Sequence, residues 1–172
     1  NSAFGSGALG DNTTGAFNTA IGATALNYNT KGSNNIAVGS AALFNNKEGN
    51  YNIATGNNAL HNNTDGSNNI AMGTNALYAN TTGIQNVAIG ANSISVNTTG
   101  NYNVATGTEA LQSNTGSWNV ANGHQALKAN TTGNSNIAIG ANSLGSNVGG
   151  SNNVAMGSSA LQANKTGIQN IA

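Results

Sequence analysis

The chain has 172 residues, no Cys and no Pro, and its four Lys balance four acidic residues. Nucleic-acid binding needs a basic patch or stripe, and four scattered Lys without any Arg do not supply one. No apolar run reaches the roughly 18 residues of a membrane-spanning helix, and no basic amphipathic segment suggests a membrane surface. The composition therefore argues against nucleic acid as a partner and against direct membrane insertion of this segment.

A 17-residue repeat organises the whole chain. Its first residue is Asn at positions 1, 18, 35, 52, 69, 86, 103, 119, 136, 153 and 170. There are thus ten repeats and the start of an eleventh, and the seventh repeat, 103–118, has 16 residues. The consensus is N-[IV]-A-x-G-x-x-A-L-x-x-N-T-x-G-x-x, and its positions are called columns 1 to 17 below. Because units this short cannot bury a core alone, neighbours must stack. We expect one domain, 1–172, as a segment of a longer fibre or filament.

Columns 1 to 5 predict a short β-strand. Asn86-Val87-Ala88-Ile89-Gly90 alternates with period 2, and column 2 is aliphatic and β-branched in nine of eleven copies. The Gly residues of columns 5 and 15 predict corners that need positive φ or close backbone approach. Asn in column 12 predicts a turn whose side chain bonds the local backbone or its copy in the next coil. The fold class predicted is all-β, a parallel β-solenoid with a second, shorter segment around columns 8 and 9. Ten coils would form a rod of roughly 50 Å.

The two faces of the strand predict the core and an interface. Invariant Ala in column 3 and Leu in column 9 would fill a thin interior, while column 2 points outward as a continuous apolar stripe. Soluble monomers rarely expose such a stripe, so we expect copies of the chain to bury it against one another. The reverse assignment, with Ala outside, would also need close packing between chains. The expected solenoid core is Ala37, Leu43, Ala54, Leu60, Ala71, Leu77, Ala88, Leu111, Leu127 and Leu144. The expected oligomer interface is Ile36, Val38, Ile53, Ile70, Val87, Ile89, Val104, Val120, Ile137, Ile139 and Val154.

The segments 86–93 and 136–143, N-V-A-I-G-A-N-S and N-I-A-I-G-A-N-S, resemble the head repeats of trimeric autotransporter adhesins. Similar repeats occur in phage tail fibres and in large bacterial surface proteins. The resemblance implies a left-handed β-roll, three chains packed around one axis, and an extracellular position on a bacterial surface or a virion tail fibre. It further implies an adhesive or spacer role. The coil is longer here than in the usual adhesin head, and no neck motif or heptad stalk is present.

These observations leave three functional hypotheses open. The first is a structural and adhesive fibre module whose partners are itself, as a homotrimer or an end-to-end filament, and a host surface protein or glycan. The second is an ice-binding protein that uses the Thr residues of column 13 to order water. The third is a carbohydrate-binding tail-fibre segment that uses exposed aromatic side chains.

The aromatic residues fall on two loops. Tyr51, Tyr102 and Trp118 in column 17 are possible surface contacts, whereas Tyr28, Phe44 and Tyr78 lie in columns 10 and 11. Exposed aromatic rings contact glycans or proteins, but they also cover neighbouring coils. Trp118 lies beside the one-residue deletion, so an alternative is that it fills the gap there.

No residue set indicates catalysis. His61 and His124 are nearly four coils apart, and the acidic residues do not cluster as a catalytic site requires. Calcium-binding β-rolls need an Asp in each repeat, and the Gly-rich spacing lacks the G-K-[ST] of a phosphate-binding loop. We therefore expect no enzyme activity, no cofactor and no metal. Glu48 and Asp65, one coil apart in column 14, are expected to form a weak surface pair with Lys31 or Lys47.

Overall fold

The computed structural model describes residues Asn1–Ala172 and contains ten strands of three residues, one at the start of each repeat. The strands are β1 (Ser2–Phe4), β2 (Thr19–Ile21), β3 (Ile36–Val38), β4 (Ile53–Thr55), β5 (Ile70–Met72), β6 (Val87–Ile89), β7 (Val104–Thr106), β8 (Val120–Asn122), β9 (Ile137–Ile139) and β10 (Val154–Met156). They form one sheet in chain order, and each neighbouring pair is parallel. The predicted parallel β-solenoid is confirmed. No segment forms a helix with the length and apolarity needed to cross a membrane.

The sheet advances by one repeat per strand. Ala71 lies beside Ala88, and Val87 lies beside Val104. The 16-residue repeat keeps this register, because Val104 pairs with Val120. Nine steps of about 4.8 Å give a sheet of roughly 43 Å along the solenoid axis. The missing residue is therefore accommodated outside the strand.

The core is a narrow column of Ala and Leu side chains. One hydrophobic cluster of 23 buried residues runs along the coils and consists of Ala, Leu and a single Ile. The ten residues expected in the core all have zero exposure, whereas the residues on either side of each strand Ala are partly or largely exposed. Ala therefore faces the interior and the aliphatic column faces outward.

The second, shorter segment predicted around columns 8 and 9 does not form a strand. It forms turns, and its Leu residues have left-handed backbone angles, with φ of 51° at Leu77 and 52° at Leu111. A bulky residue in this region is strained, so the surrounding structure must hold it there. Hydrogen bonds between successive coils do so, since Leu43 N donates to Ala59 O at 2.9 Å.

Two ladders of buried Asn side chains line the corners of each coil. In column 12, Asn80 Nδ2 donates to Asn63 Oδ1 at 2.7 Å and to Gly83 O at 3.0 Å. In column 1, Asn69 Oδ1 accepts from the Asn86 backbone N–H at 2.9 Å, and Asn69 Nδ2 donates to Gly83 O at 2.8 Å. Column 12 thus makes both predicted kinds of hydrogen bond, to the local backbone and to the next copy. The ladder of column 1 was not predicted.

The two Gly columns meet different requirements. Gly90 has a φ of +130°, and a Cβ built on it would lie 2.6 Å from the backbone carbonyl of Gly107. Gly83 lacks a positive φ, but a Cβ there would collide with Asn80 Oδ1 and with the Gly100 carbonyl. Column 5 therefore needs glycine for conformation and space, and column 15 needs it for close approach.

The one-residue deletion breaks the column 12 ladder at a single step. Asn114 Nδ2 keeps the local bond to Gly116 O at 2.8 Å but makes none to Asn97 Oδ1, which is left buried without a hydrogen-bond partner. Trp118 does not fill this interior gap, because its side chain is 58% exposed and stacks on Tyr102. The interpretation of Trp118 as a filler is therefore wrong.

Candidate functional site

The most extensive candidate surface is the outer side of the sheet, which we call the aliphatic face. It consists of Ile21, Ile36, Val38, Ile53, Ile70, Met72, Val87, Ile89, Val104, Val120, Ile137, Ile139, Val154 and Met156. Ile36, Ile89 and Ile137 expose 41%, 41% and 38% of their surface, and the remaining members are half-buried or exposed. All eleven residues expected at an oligomer interface lie on this face.

The aliphatic face is long, narrow and uncharged. It extends over about 43 Å, and two outward columns roughly 7 Å apart make it about 10 Å wide. The resulting area, about 450 Å², falls within the range of the largest apolar patches on soluble proteins, which are often functional. Phe4 extends the face to the first strand, and the polar residues of columns 2 and 4 are Ser2, Thr19, Thr55, Thr106 and Asn122.

The aromatic residues of column 17 form one pair and one isolated side chain. Tyr102 and Trp118 stack with ring centroids 4.0 Å apart and an angle of 14° between the ring planes. Tyr51 is 60% exposed and lies three coils before Tyr102, so it takes no part in that stack. Of the three expected contact residues, Tyr102 and Trp118 therefore lie together, and Tyr51 lies apart from them.

A second aromatic group runs along columns 10 and 11, and we call it the aromatic ladder. It consists of Tyr28, Phe44, His61 and Tyr78, one from each of four successive coils. Ring centroids are separated by 4.8 Å, 5.0 Å and 5.1 Å in that order, and the last two contacts are nearly parallel stacks. His61, which the sequence analysis considered only as a titratable group, completes the ladder.

The ladder ends beside a groove with a volume of about 490 Å³, which we call the Tyr78 groove. It is lined by Asn58, Asn75, Tyr78, Ala79, Asn92, Ser95 and Val96. This groove was not predicted from the sequence. Its signal was the run of aromatic residues in columns 10 and 11 from the second to the fifth repeat, followed by Ser95 in column 10 of the sixth.

Charged side chains form two surface pairs. Lys31 Nζ lies 2.7 Å from Glu48 Oε1, as expected, and this hydrogen bond raises the pKa of Lys31 above its ordinary value. Asp65 forms no ion pair with a Lys; its carboxylate accepts from Thr64 Oγ1 at 3.2 Å instead. Glu109 Oε2 accepts from Lys128 Nζ at 2.7 Å and from Gln125 Nε2 at 2.8 Å, and these bonds lower the pKa of Glu109. No three His, Asp or Glu side chains come together as a metal site would require.

Six of the seven Thr residues of column 13, all but Thr98, donate their hydroxyl proton to the next coil. Thr81 Oγ1 donates to Thr98 O at 3.0 Å, and Thr13 Oγ1 donates to Thr30 O at 2.7 Å. The same bond to the next coil recurs at Thr30, Thr64, Thr115 and Thr131. These hydroxyl groups act as turn-stabilising donors, which leaves only their acceptor capacity for ordered water.

Comparison with known proteins identifies no relative. No protein-family model matches the chain, and neither a curated protein nor a solved structure matches it. The aliphatic face and the aromatic ladder are therefore the features from which a function can be inferred.

Proposed function

We propose that the chain is a rigid structural module of an extracellular fibre, and that copies of it associate through the aliphatic face. The observation that carries this proposal is the exposed, uncharged outer side of the ten-stranded sheet. In this role the protein works mechanically, as a stiff rod that holds an attachment surface away from its base.

Stiffness follows from the density of bonds between coils. The chain has 121 backbone–backbone hydrogen bonds, and most of them join one coil to the next. The buried Asn ladders add side-chain bonds along the same axis, such as Asn46 Nδ2 to Asn29 Oδ1 at 2.7 Å. Because every coil is tied to both neighbours at several points, bending the rod would break many bonds at once.

The apolar area of the aliphatic face is comparable to what association requires. At about 25 cal/mol per Å², burying about 450 Å² of apolar surface contributes roughly 11 kcal/mol. Association itself costs an estimated 4–15 kcal/mol. The two quantities are of the same size, so ten coils lie near the threshold for stable association, and each additional coil would strengthen it.

We propose that three chains pack around one axis. The adhesin-like segments 86–93 and 136–143 support this number, and in a closed trimer each aliphatic face can meet the other two. Thr55, Thr106 and Asn122 would then form polar layers near the axis. Polar layers in an apolar seam fix the register and number of chains, as buried Asn does in coiled coils.

The test is the oligomeric state of the intact chain, measured by sedimentation velocity and light scattering. We expect an elongated oligomer for the wild type and dissociation for V87K and I89K, because a Lys at the centre of the face would bury an unpaired charge. T82K is the matched control, since Thr82 is an exposed turn residue in the repeat preceding Val87. A monomeric wild type up to its solubility limit, or equal dissociation by T82K, would contradict the proposal.

A further inference from the structure

The aromatic ladder stops while the solenoid continues, and this leaves one ring face available. Tyr78 stacks on His61 on one side, with ring centroids 5.1 Å apart. On its other side the next coil carries Ser95 in column 10, which has no ring, and both residues line the Tyr78 groove. The groove therefore occupies the position where the fifth ring of the ladder would lie.

One wall of the groove is a row of amides. Asn58 Nδ2 donates to Asn75 Oδ1 at 3.4 Å, and Asn75 Nδ2 donates to Asn92 Oδ1 at 3.2 Å. Each of these amides has two N–H groups and a carbonyl oxygen with two lone pairs, so capacity for further hydrogen bonds is left over. Asn92 Nδ2 donates to no protein atom, which leaves both of its N–H groups for a ligand.

We propose that the Tyr78 groove binds a pyranose ring of a neutral glycan. The apolar C–H face of the sugar stacks on Tyr78, in the place of a fifth ladder ring. The sugar hydroxyl groups then meet Asn75, Asn92 and Ser95, which line the groove beside Tyr78. An aromatic ring beside fixed amides suits a ligand that has one apolar face and a polar edge.

The lining also decides the charge class of the glycan. None of its seven residues is charged, so nothing in the groove would pair with the carboxylate of a sialic or uronic acid. The N–H groups of Asn92 could donate to such a carboxylate, but no cation offsets the loss of its hydration, whereas neutral hydroxyl groups exchange water for the Asn amides at little cost. The site is therefore expected to prefer neutral sugars over acidic ones.

The site is complete within a single chain, and it goes beyond the fibre role proposed above. All of its residues belong to columns 7 to 11 of the fourth to sixth repeats, while the aliphatic face belongs to columns 2 and 4. Loss of self-association would therefore leave the groove intact, and absence of sugar binding would leave the fibre proposal intact. The two proposals can fail separately.

Saturation-transfer difference NMR on the full chain tests the site, with cellotriose, chitotriose, mannotriose and sialyllactose as probes. We expect transfer to at least one of the three neutral trisaccharides, strongest on the C–H protons of one face of one ring, and none to the sialic acid ring. Y78A should abolish this transfer, because it removes the stacking surface. Y78F should retain it, since it keeps the ring.

Two further variants keep the test decisive. S95F should extend the ladder into the groove and block the sugar while the fold is retained, so it tests the site even if Y78A unfolds. Y51A removes an exposed aromatic ring elsewhere and should leave transfer unchanged. Far-UV circular dichroism and thermal melting establish that each variant is folded. No transfer from any neutral probe, transfer that survives S95F, or equal loss in Y51A would overturn the proposal.

Discussion

Replacing Asn69 tests whether the buried amide ladder of column 1 supports the coil. Asn69 is fully buried, and its Oδ1 accepts the backbone N–H of Asn86 at 2.9 Å, a donor with no backbone acceptor. In N69A this N–H is buried without a partner, which costs about 1–3 kcal/mol. The lost bond to Gly83 O adds about 1 kcal/mol, a modest amount because Asn80 Nδ2 still donates to that oxygen. We expect N69A to lower the free energy of unfolding by about 2–4 kcal/mol.

The isosteric variant N69D separates the acceptor from the donor. One carboxylate oxygen can still accept from Asn86 N–H, but the other would face Gly83 O, an acceptor that Nδ2 now contacts at 2.8 Å. Burial without a cation raises the pKa of such a carboxyl above its unfolded value of about 3.9. The folded state then binds more protons than the unfolded state between the two pKa values. N69D should therefore gain stability as the pH falls through the folded pKa, because the protonated group donates to Gly83 O.

The assay is urea denaturation at one fixed protein concentration, followed by circular dichroism from about pH 3.5 to pH 8. N69A is the control for pH, because it introduces no titratable group. The difference between its free energy of unfolding and that of the wild type should be the same at every pH. At pH 8, N69D should have a lower free energy of unfolding than N69A. Near pH 3.5, the free energy of unfolding of N69D should equal or exceed that of N69A. A cost below about 0.5 kcal/mol for N69A, the size of an ordinary surface substitution, would refute the reasoning. A pH-independent N69D would refute it as well.

Three further predictions concern the corners, the deletion and the charge pairs. G90A should lower the melting temperature more than G157A, because both residues have positive φ but only the Gly90 Cβ would meet backbone, at 2.6 Å. Inserting one Thr after Thr115 should raise the free energy of unfolding by about 1–3 kcal/mol by giving Asn97 Oδ1 a partner; an unchanged urea midpoint would contradict this. E109Q should differ from the wild type in melting temperature above about pH 5 and converge with it in acid, since the lowered pKa of Glu109 stabilises the fold only while the carboxylate is ionised. A difference that persists at about pH 2 would exclude the lysine pairing as its cause.

The strands and the core were predictable because each depends on a repeated local pattern. Val87 and Ala88 belong to opposite faces at period 2, and the same two columns recur in every coil. A small residue held constant on one face indicates a thin interior, and the structure places Ala88 beside Ala71 and Ala105 there. The register between neighbouring strands was also predictable, because the repeat length sets which residues pair.

The turn around columns 8 and 9 was not predictable from the residues themselves. Leu77 has a φ of 51°, a conformation that an isolated Leu disfavours, so propensity argued for an extended segment. The conformation persists because Leu77 N donates to Ser93 O of the next coil at 3.0 Å, and each coil imposes its backbone on its neighbour. This constraint exists only after the coils have stacked.

The Tyr78 groove was not predicted for a related reason. Composition draws attention to large exposed rings such as Tyr51 and Trp118, which are 60% and 58% exposed. Tyr78 is half-buried, and the ring that places it is His61, which is ordinarily considered for its charge. The open space beside Tyr78 exists because the aromatic ladder ends there. In the sequence this end is marked only by the small residue Ser95, which replaces an aromatic residue in column 10 of the next coil.

The one-residue deletion in repeat 103–118 changes the turn but leaves the sheet and the core intact. Strand register across it is kept, and Leu111 N still donates to Ala126 O at 2.9 Å, so the sheet and core continue without interruption. The loss is confined to the turn, where Thr81 N donates to the next coil but Thr98 N does not, and where Asn97 Oδ1 has no partner. In a solenoid, stability is a sum of coil terms and nearest-neighbour terms, so a defect of this kind weakens one interface without affecting distant ones. The function proposed here tolerates such a defect, because a rod that associates through its sheet depends on the strand register, which the deletion leaves unchanged.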